Sequence, residues 1–189
     1  MLNIIHLRNR EDRYAKLMIE LCEQGMSAYK IWDGVVHPQL PFVGIRKAHQ
    51  QIVRDARDRS LPYVIIAEDD VMFLGAGAYD YFISSMPPVD SFDIYLAGLM
   101  LSGEVDENNV VVDGYFTGLT LYVMSSKFYE TFLSIRETGN IDALLRGKGK
   151  FIVCNPMVVS QHGGYSDNSG KIIKSYDETV KHRNLWKGK

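Results

Sequence analysis

Long apolar runs are missing from this chain: no stretch approaches the roughly 20 residues that span a bilayer. Cysteine is nearly absent. Cys22 and Cys154 are the two thiols, too few for a metal knuckle or a disulfide-stapled secreted scaffold. Both sit in apolar segments (IELCEQ, FIVCNP), so buried, reduced thiols are expected. There is no excess of charge of either sign. Lys and Arg number 21 against 23 Asp and Glu, a net charge of -2. That balance gives no clear signal for a nucleic-acid or membrane partner. The apolar start MLNII is too short for the core of an export signal and runs at once into RNREDR. A cytoplasmic protein is the resulting expectation. No internal repeat or low-complexity tract interrupts the 189 residues, of which 46% are hydrophobic, enough for one substantial core.

Apolar segments alternate with amphipathic ones. Residues 2–7 and 29–32 read as short buried strands. Between them, Tyr14, Leu17, Met18 and Leu21 recur at helical spacing until Gly25. A second helix is expected over 44–59, with Ile45, Ala48, Ile52, Val53 and Ala56 on its apolar face. Residues 63–67 form the clearest central strand, and 92–96, 119–124 and 151–154 are further strand candidates. Asn108-Asn109 marks a hairpin over 105–112. A helix is expected from Ser125, with Ser125 or Ser126 as N-cap and Phe128, Phe132 and Ile135 on one face. The pattern predicts an α/β fold with a mostly parallel sheet flanked by helices. It also predicts a main body over 1–170 and a polar, basic tail over 171–189, with Lys171, Lys174, Lys181, His182, Arg183 and Lys187. In such folds ligands bind at the carboxyl ends of the strands.

There the sequence reads Glu68-Asp69-Asp70. Adjacent acids at the end of a buried strand repel one another unless a cation or strong hydrogen bonds offset the charge. A hard divalent ion does so while keeping coordination positions for substrate phosphates. The strand's alternation sends Glu68 and Asp70 to one side and Asp69 to the other. A solvated acidic turn is the plainer alternative.

Further segments accompany that triplet: IIHLRNREDR, IWDGV, VGIRKAHQQIVRDA, VIIAEDDVMF, SFDIYLAGL, TGLTLYVMSSKF, NIDALL and NPMVVSQHGGYSDNSG. In this order they resemble the motifs of glycosyltransferase family 25, the lipopolysaccharide and collagen-type galactosyltransferase group. The EDD of VIIAEDDVMF looks like that family's variant of the DxD metal motif. The chain departs from the pattern at His6, Ile45 and Asn168, where the family has Asn, Cys and an aliphatic residue.

The resemblance implies a single-domain GT-A (nucleotide-diphospho-sugar transferase) fold. It implies transfer of a hexose from a nucleotide-diphosphate sugar, a UDP-sugar by expectation, to a hydroxyl on a glycan, lipid-linked or protein acceptor, with inversion. Manganese or magnesium would be held by Asp70, with His162 as a late ligand. Glu68 and Asp69 would serve the donor, with His49 close by. Gln161, Ser166 and Asp167 would close over it, Gly163 and Gly164 giving the segment a lid's freedom. The arginines after the first strand, Arg8, Arg10 and Arg13, can bind base, ribose or diphosphate, or else pair with Glu11 and Asp12. Asp33 is a donor ligand or a plain turn residue. Inverting transfer needs a carboxylate to take the acceptor's proton, and Asp142 is the candidate. An acid favoured by a helix start is the alternative. A non-catalytic sugar-binding module of the same fold stays open, as does a nucleotidyltransferase, although IIHLRNRED lacks the glycine-rich loop expected of the latter.

Overall fold

The computed structural model describes residues 1–174 and 183–188, so Lys181 and His182 of the expected tail lie outside the described residues. The chain starts in the interior of a sheet. β1 (Leu2–His6) leads through α1 (Glu11–Glu23) to β2 (Tyr29–Asp33), which pairs with it in parallel. α2 (Pro41–Asp58) then carries the chain back across to β3 (Tyr63–Glu68), parallel to β1 on its other side. β1 therefore has its two successors on opposite flanks, and the crevice between the ends of β1 and β3 is the switch point where ligands of such sheets bind.

The rest of the chain completes the sheet and closes its ends. β4 (Val71–Phe73) and α3 (Ala78–Ser84) precede β5 (Ile94–Leu96). β6 (Gly103–Val105) and β7 (Val111–Phe116) form a separate hairpin. β8 (Leu121–Ser125) lies antiparallel between β3 and β5. α4 (Tyr129–Ser134) and α5 (Ile141–Leu144) lead to β9 (Phe151–Val153), parallel to β5. β10 (Val159–Gln161) pairs with β4, and β11 (Gly164–Ser166) with β12 (Lys171–Ile173). The main sheet runs β2-β1-β3-β8-β5-β9. It is a mixed α/β architecture with a mostly parallel sheet.

The period-two pattern of β3 divides the core. Val64 and Ile66 pack with Ile52, Val53, Tyr122 and Met124 beneath α2 and α4. Ile65 and Ala67 pack with Leu2, Ile4, Leu17 and Leu21 on the α1 side. Ile52, Val53 and Ile66 have at most 1% of their surface exposed. Such burial contributes about 1.5–3 kcal/mol per side chain, so the sheet's faces are firmly specified. The same alternation decides which layer each acid after β3 meets.

Local details correct the sequence reading. Cys22 is exposed, because it lies on the outer side of α1 away from the buried Leu17 and Leu21, whereas Cys154 is buried. α2 starts at Pro41, a residue suited to a first helical turn, not at Gly44. Ser125 and Ser126 cap no helix through their side chains; Ser125 is the last residue of β8, in register with Tyr63. The hairpin's second arm extends to Phe116, and Asp106 holds its turn by accepting from the Asn108 and Val110 N–H groups. The described part of 171–189 packs on the body. Trp186 stacks on Tyr81 at 4.5 Å, and its indole donates to the Ala76 carbonyl. Among the described residues, no helix is long and apolar enough to cross a membrane.

Candidate functional site

A pocket of about 320 Å³ opens at the carboxyl ends of β1 and β3. Of the residues singled out from sequence, Arg13, His49, Glu68, Asp69, Asp70, Asp142, Gln161, His162, Ser166 and Asp167 line it. Arg8 and Asp33 do not. They form an exposed two-point ion pair at 2.6 Å, linking the chain after β1 to the end of β2.

The acids part as the strand's pleat dictates. Glu68 continues the α2-facing side of β3 and meets His49 Nε2 at 3.2 Å. Asp69 turns to the α1 side, where its oxygens meet His6 Nδ1 at 2.8 Å and the Arg13 guanidinium at 2.7 Å. Gln161 Nε2 sits 3.4 Å from both a Glu68 and an Asp70 oxygen, spanning the pair that face the pocket. Arg13 also reaches Asp70 at 3.1 Å. Its role is therefore internal, holding two of the three acids, and its ion-pair partners are Asp69 and Asp70, not Glu11 or Asp12.

The side chains of Glu68 and Asp70 retain 23% and 15% exposure, all at the pocket floor. Burial pushes the Glu68 carboxyl up to about 8, reinforced by Asp142 and Asp69 and opposed by Arg13. Burial and the neighbouring Glu68 push Asp70 up to about 7, again against Arg13. One arginine does not offset the charge gathered here.

His49 is fully buried, and desolvation pulls its imidazole down to about 4, with the charge of Asp142 opposing. A neutral ring carries one N–H. When Glu68 is ionised it can only accept, so Nε2 then donates to it and Nδ1 accepts from the Tyr122 hydroxyl, 2.9 Å away. Tyr122 was not singled out from the sequence. It lies 73 residues from His49 and comes to it only through the pairing of β8 with β3. His6 was read there only as a departure from the family pattern, and the structure makes it the partner of Asp69.

Asp142 enters from the first turn of α5, its Oδ2 accepting the Gly118 N–H at 3.0 Å. Gly118 has φ +105, and a Cβ there would stand 2.5 Å from Met100 Cγ, so glycine is required for this approach. His162 is placed differently from expectation. Its Nε2 meets Glu20 of α1 at 2.7 Å, and only its backbone N–H is bonded to Asp70, at the carbonyl. Glu20 in turn accepts the Phe73 N–H. The ring thus fastens the segment after β10 to α1, and no hydrogen bond joins it to the Asp70 carboxylate. Arg10 clasps Asp12 and Asp167, and Lys16 donates to the Gly163 carbonyl, which moors the β11–β12 hairpin over the pocket.

These side chains fit a hard divalent cation. Two oxygen-ligand acids face one space and are difficult to ionise without a countercharge. Among the described residues, no three His, Cys, Asp or Glu side chains surround one point. The protein would therefore supply two carboxylates, with water and phosphate completing the shell, the usual manner of magnesium-type ions.

No known family profile matches the chain, and no curated protein sequence does. Solved structures do. A197 from STIV is similar with a TM-score of 0.53 at 12% identity, covering 92% of each chain. HddC from Yersinia pseudotuberculosis is similar with a TM-score of 0.50 at 13% identity, over 81% of this chain and 88% of that one. A structure of HddC complexed with GMP-PN gives 0.49 at 15% identity. At these identities the likeness establishes the fold alone.

Proposed function

We propose that this chain is a metal-dependent glycosyltransferase of the GT-A type, similar to family 25, moving a hexose from a UDP-type nucleotide sugar to a hydroxyl acceptor with inversion. The observation that carries the reading is the placement of Glu68 and Asp70 on the floor of the switch-point pocket, both pushed towards protonation, with Asp142 on the same wall. Such a pair is stabilised by a cation that itself binds a diphosphate. Asp70, with Glu68, would hold manganese or magnesium, which when bound supplies Lewis-acid neutralisation of the leaving diphosphate.

The chain's own residues do the rest. Arg13 restrains Asp69 and Asp70, and the Tyr122–His49 pair fixes one Glu68 oxygen and so aims the other at the pocket. The acceptor oxygen forms its bond to the anomeric carbon as the bond to the diphosphate breaks, the electron pair leaving with the phosphate oxygen. The acceptor proton passes to Asp142, whose Oδ2 is steadied by the Gly118 N–H. The hairpin moored by Arg10 keeps water from the donor.

A thermal-shift screen of nucleotide sugars with manganese tests donor binding, and Asp142→Asn tests the base. That variant should bind donor as the parent does while losing transfer by at least about a hundredfold, the scale of general-base catalysis. Undiminished transfer would return Asp142 to a helix-start acid.

A further inference from the structure

A second pocket, of about 460 Å³, lies beyond the β6–β7 hairpin. It shares Leu101 with the first, so one side chain forms a wall of both. Thr117, which lines the first pocket, accepts from the Leu101 and Ser102 N–H groups at 2.9 Å and ties that wall in place. The two spaces are also joined through one short element. The turn that begins with α5 presents Asp142 to the first pocket and Arg146 to the second.

The lining of the second pocket is mixed in a particular way. Leu101, Val112 and Tyr115 leave 60%, 43% and 40% of their surfaces exposed, an apolar floor that the fold itself does not use. Arg146 lies over the Tyr115 ring at 5.2 Å and reaches Asp113 only at 4.0 Å. Gly114, with φ +62, sets this arrangement, because a Cβ there would stand 2.8 Å from the Gly147 nitrogen. β7 and the Arg146 turn are thereby pressed together.

We infer that this second pocket is the acceptor subsite and that it takes a saccharide, the inference resting on the glycosyltransferase reading above. A sugar ring offers an apolar C–H face to a tyrosine and hydroxyls that both donate and accept. Tyr115 with Val112 and Leu101 supplies the platform. Arg146 supplies donors, and Asp113 and Glu104 supply acceptors. A lipid chain would leave those charged groups without partners, and the volume falls in the range of small-ligand pockets.

The test uses saturation-transfer NMR with lactose, maltose, N-acetylglucosamine and mannose as probes, in the presence of UDP and manganese. Donor hydrolysis is measured alongside. At least one saccharide should bind the parent. Its affinity should fall about tenfold in Tyr115→Ala and in Arg146→Ala, equivalent to about 1.4 kcal/mol. Tyr115→Phe, which keeps the ring, should bind as the parent does. Donor hydrolysis and the melting temperature should be unchanged in all three, because both side chains lie outside the donor pocket. Saccharide binding that ignores both alanine variants would overturn the inference and leave the donor site standing. So would an absence of saccharide binding while the parent hydrolyses donor. A parent that neither binds nor hydrolyses any nucleotide sugar would remove the glycosyltransferase reading and this inference together.

Discussion

A carboxyl on a pocket floor is harder to ionise than one in water, and Glu68 meets that condition with His49 as its fixed neighbour. The Tyr122 hydroxyl, 2.9 Å from Nδ1, holds the other side of the His49 ring. Tyr122→Phe removes one hydroxyl from a buried site and leaves Nδ1 unsatisfied, with an expected loss of about 1–3 kcal/mol of stability. Urea unfolding at constant m-value would measure it. An unchanged midpoint would mean that the hydroxyl does not serve that nitrogen. At this scale the sequence was legible where chemistry is local. Glu68, Asp69 and Asp70 are adjacent, and the pleat of one strand suffices to separate them. Tyr122 and Glu20 were not legible, because their roles depend on partners 73 and 142 residues away. His162 shows the same difficulty in reverse, since its residue type suits a metal but its position favours Glu20.

Short elements hold the site's edges. β11 and β12 bury little, and the hairpin is held by Arg10 on Asp167 and by cation–π contact of Arg10 with Tyr165 at 5.9 Å. Arg10 also holds the Asp12 carboxyl down at about 2 through its hydrogen bond. Asp167→Asn should therefore loosen the hairpin, and amide exchange over residues 164–173 should quicken several-fold while the sheet is unaffected. UDP with manganese should slow the same amides in the parent. Exchange that is indifferent to both changes would show that this hairpin is no lid. From sequence this region is a glycine-hinged segment running into a basic tail, because a three-residue strand gives no usable period. β4 and α3 escaped notice for similar reasons, whereas the long apolar face of α2 was plain.

Across the whole molecule the acids also govern stability. Glu68 and Asp70 have native values of about 8 and about 7, above their ordinary 4.5 and 3.8. Between those limits the folded state binds more protons than the unfolded one, so stability falls as pH rises through that window and levels off above it. The metal-free protein should accordingly melt at a lower temperature at pH 9 than at pH 5.5. Asp70→Asn should flatten that slope, and a parent whose melting temperature rose over the window would contradict the charge assignment. The architecture was legible because alternating apolar strands and amphipathic helices constrain an α/β sheet. The antiparallel direction of β8 was not, since strand direction depends on long connections. The central claim is that Asp70 and Glu68 bind a divalent ion that in turn holds a nucleotide diphosphate. Calorimetric titration of UDP, with and without manganese, into the parent and Asp70→Asn tests it most directly. The account predicts manganese-dependent binding by the parent and a loss of at least about a hundredfold, roughly 2.7 kcal/mol, in the variant. Equal, manganese-dependent affinity in both proteins would contradict it.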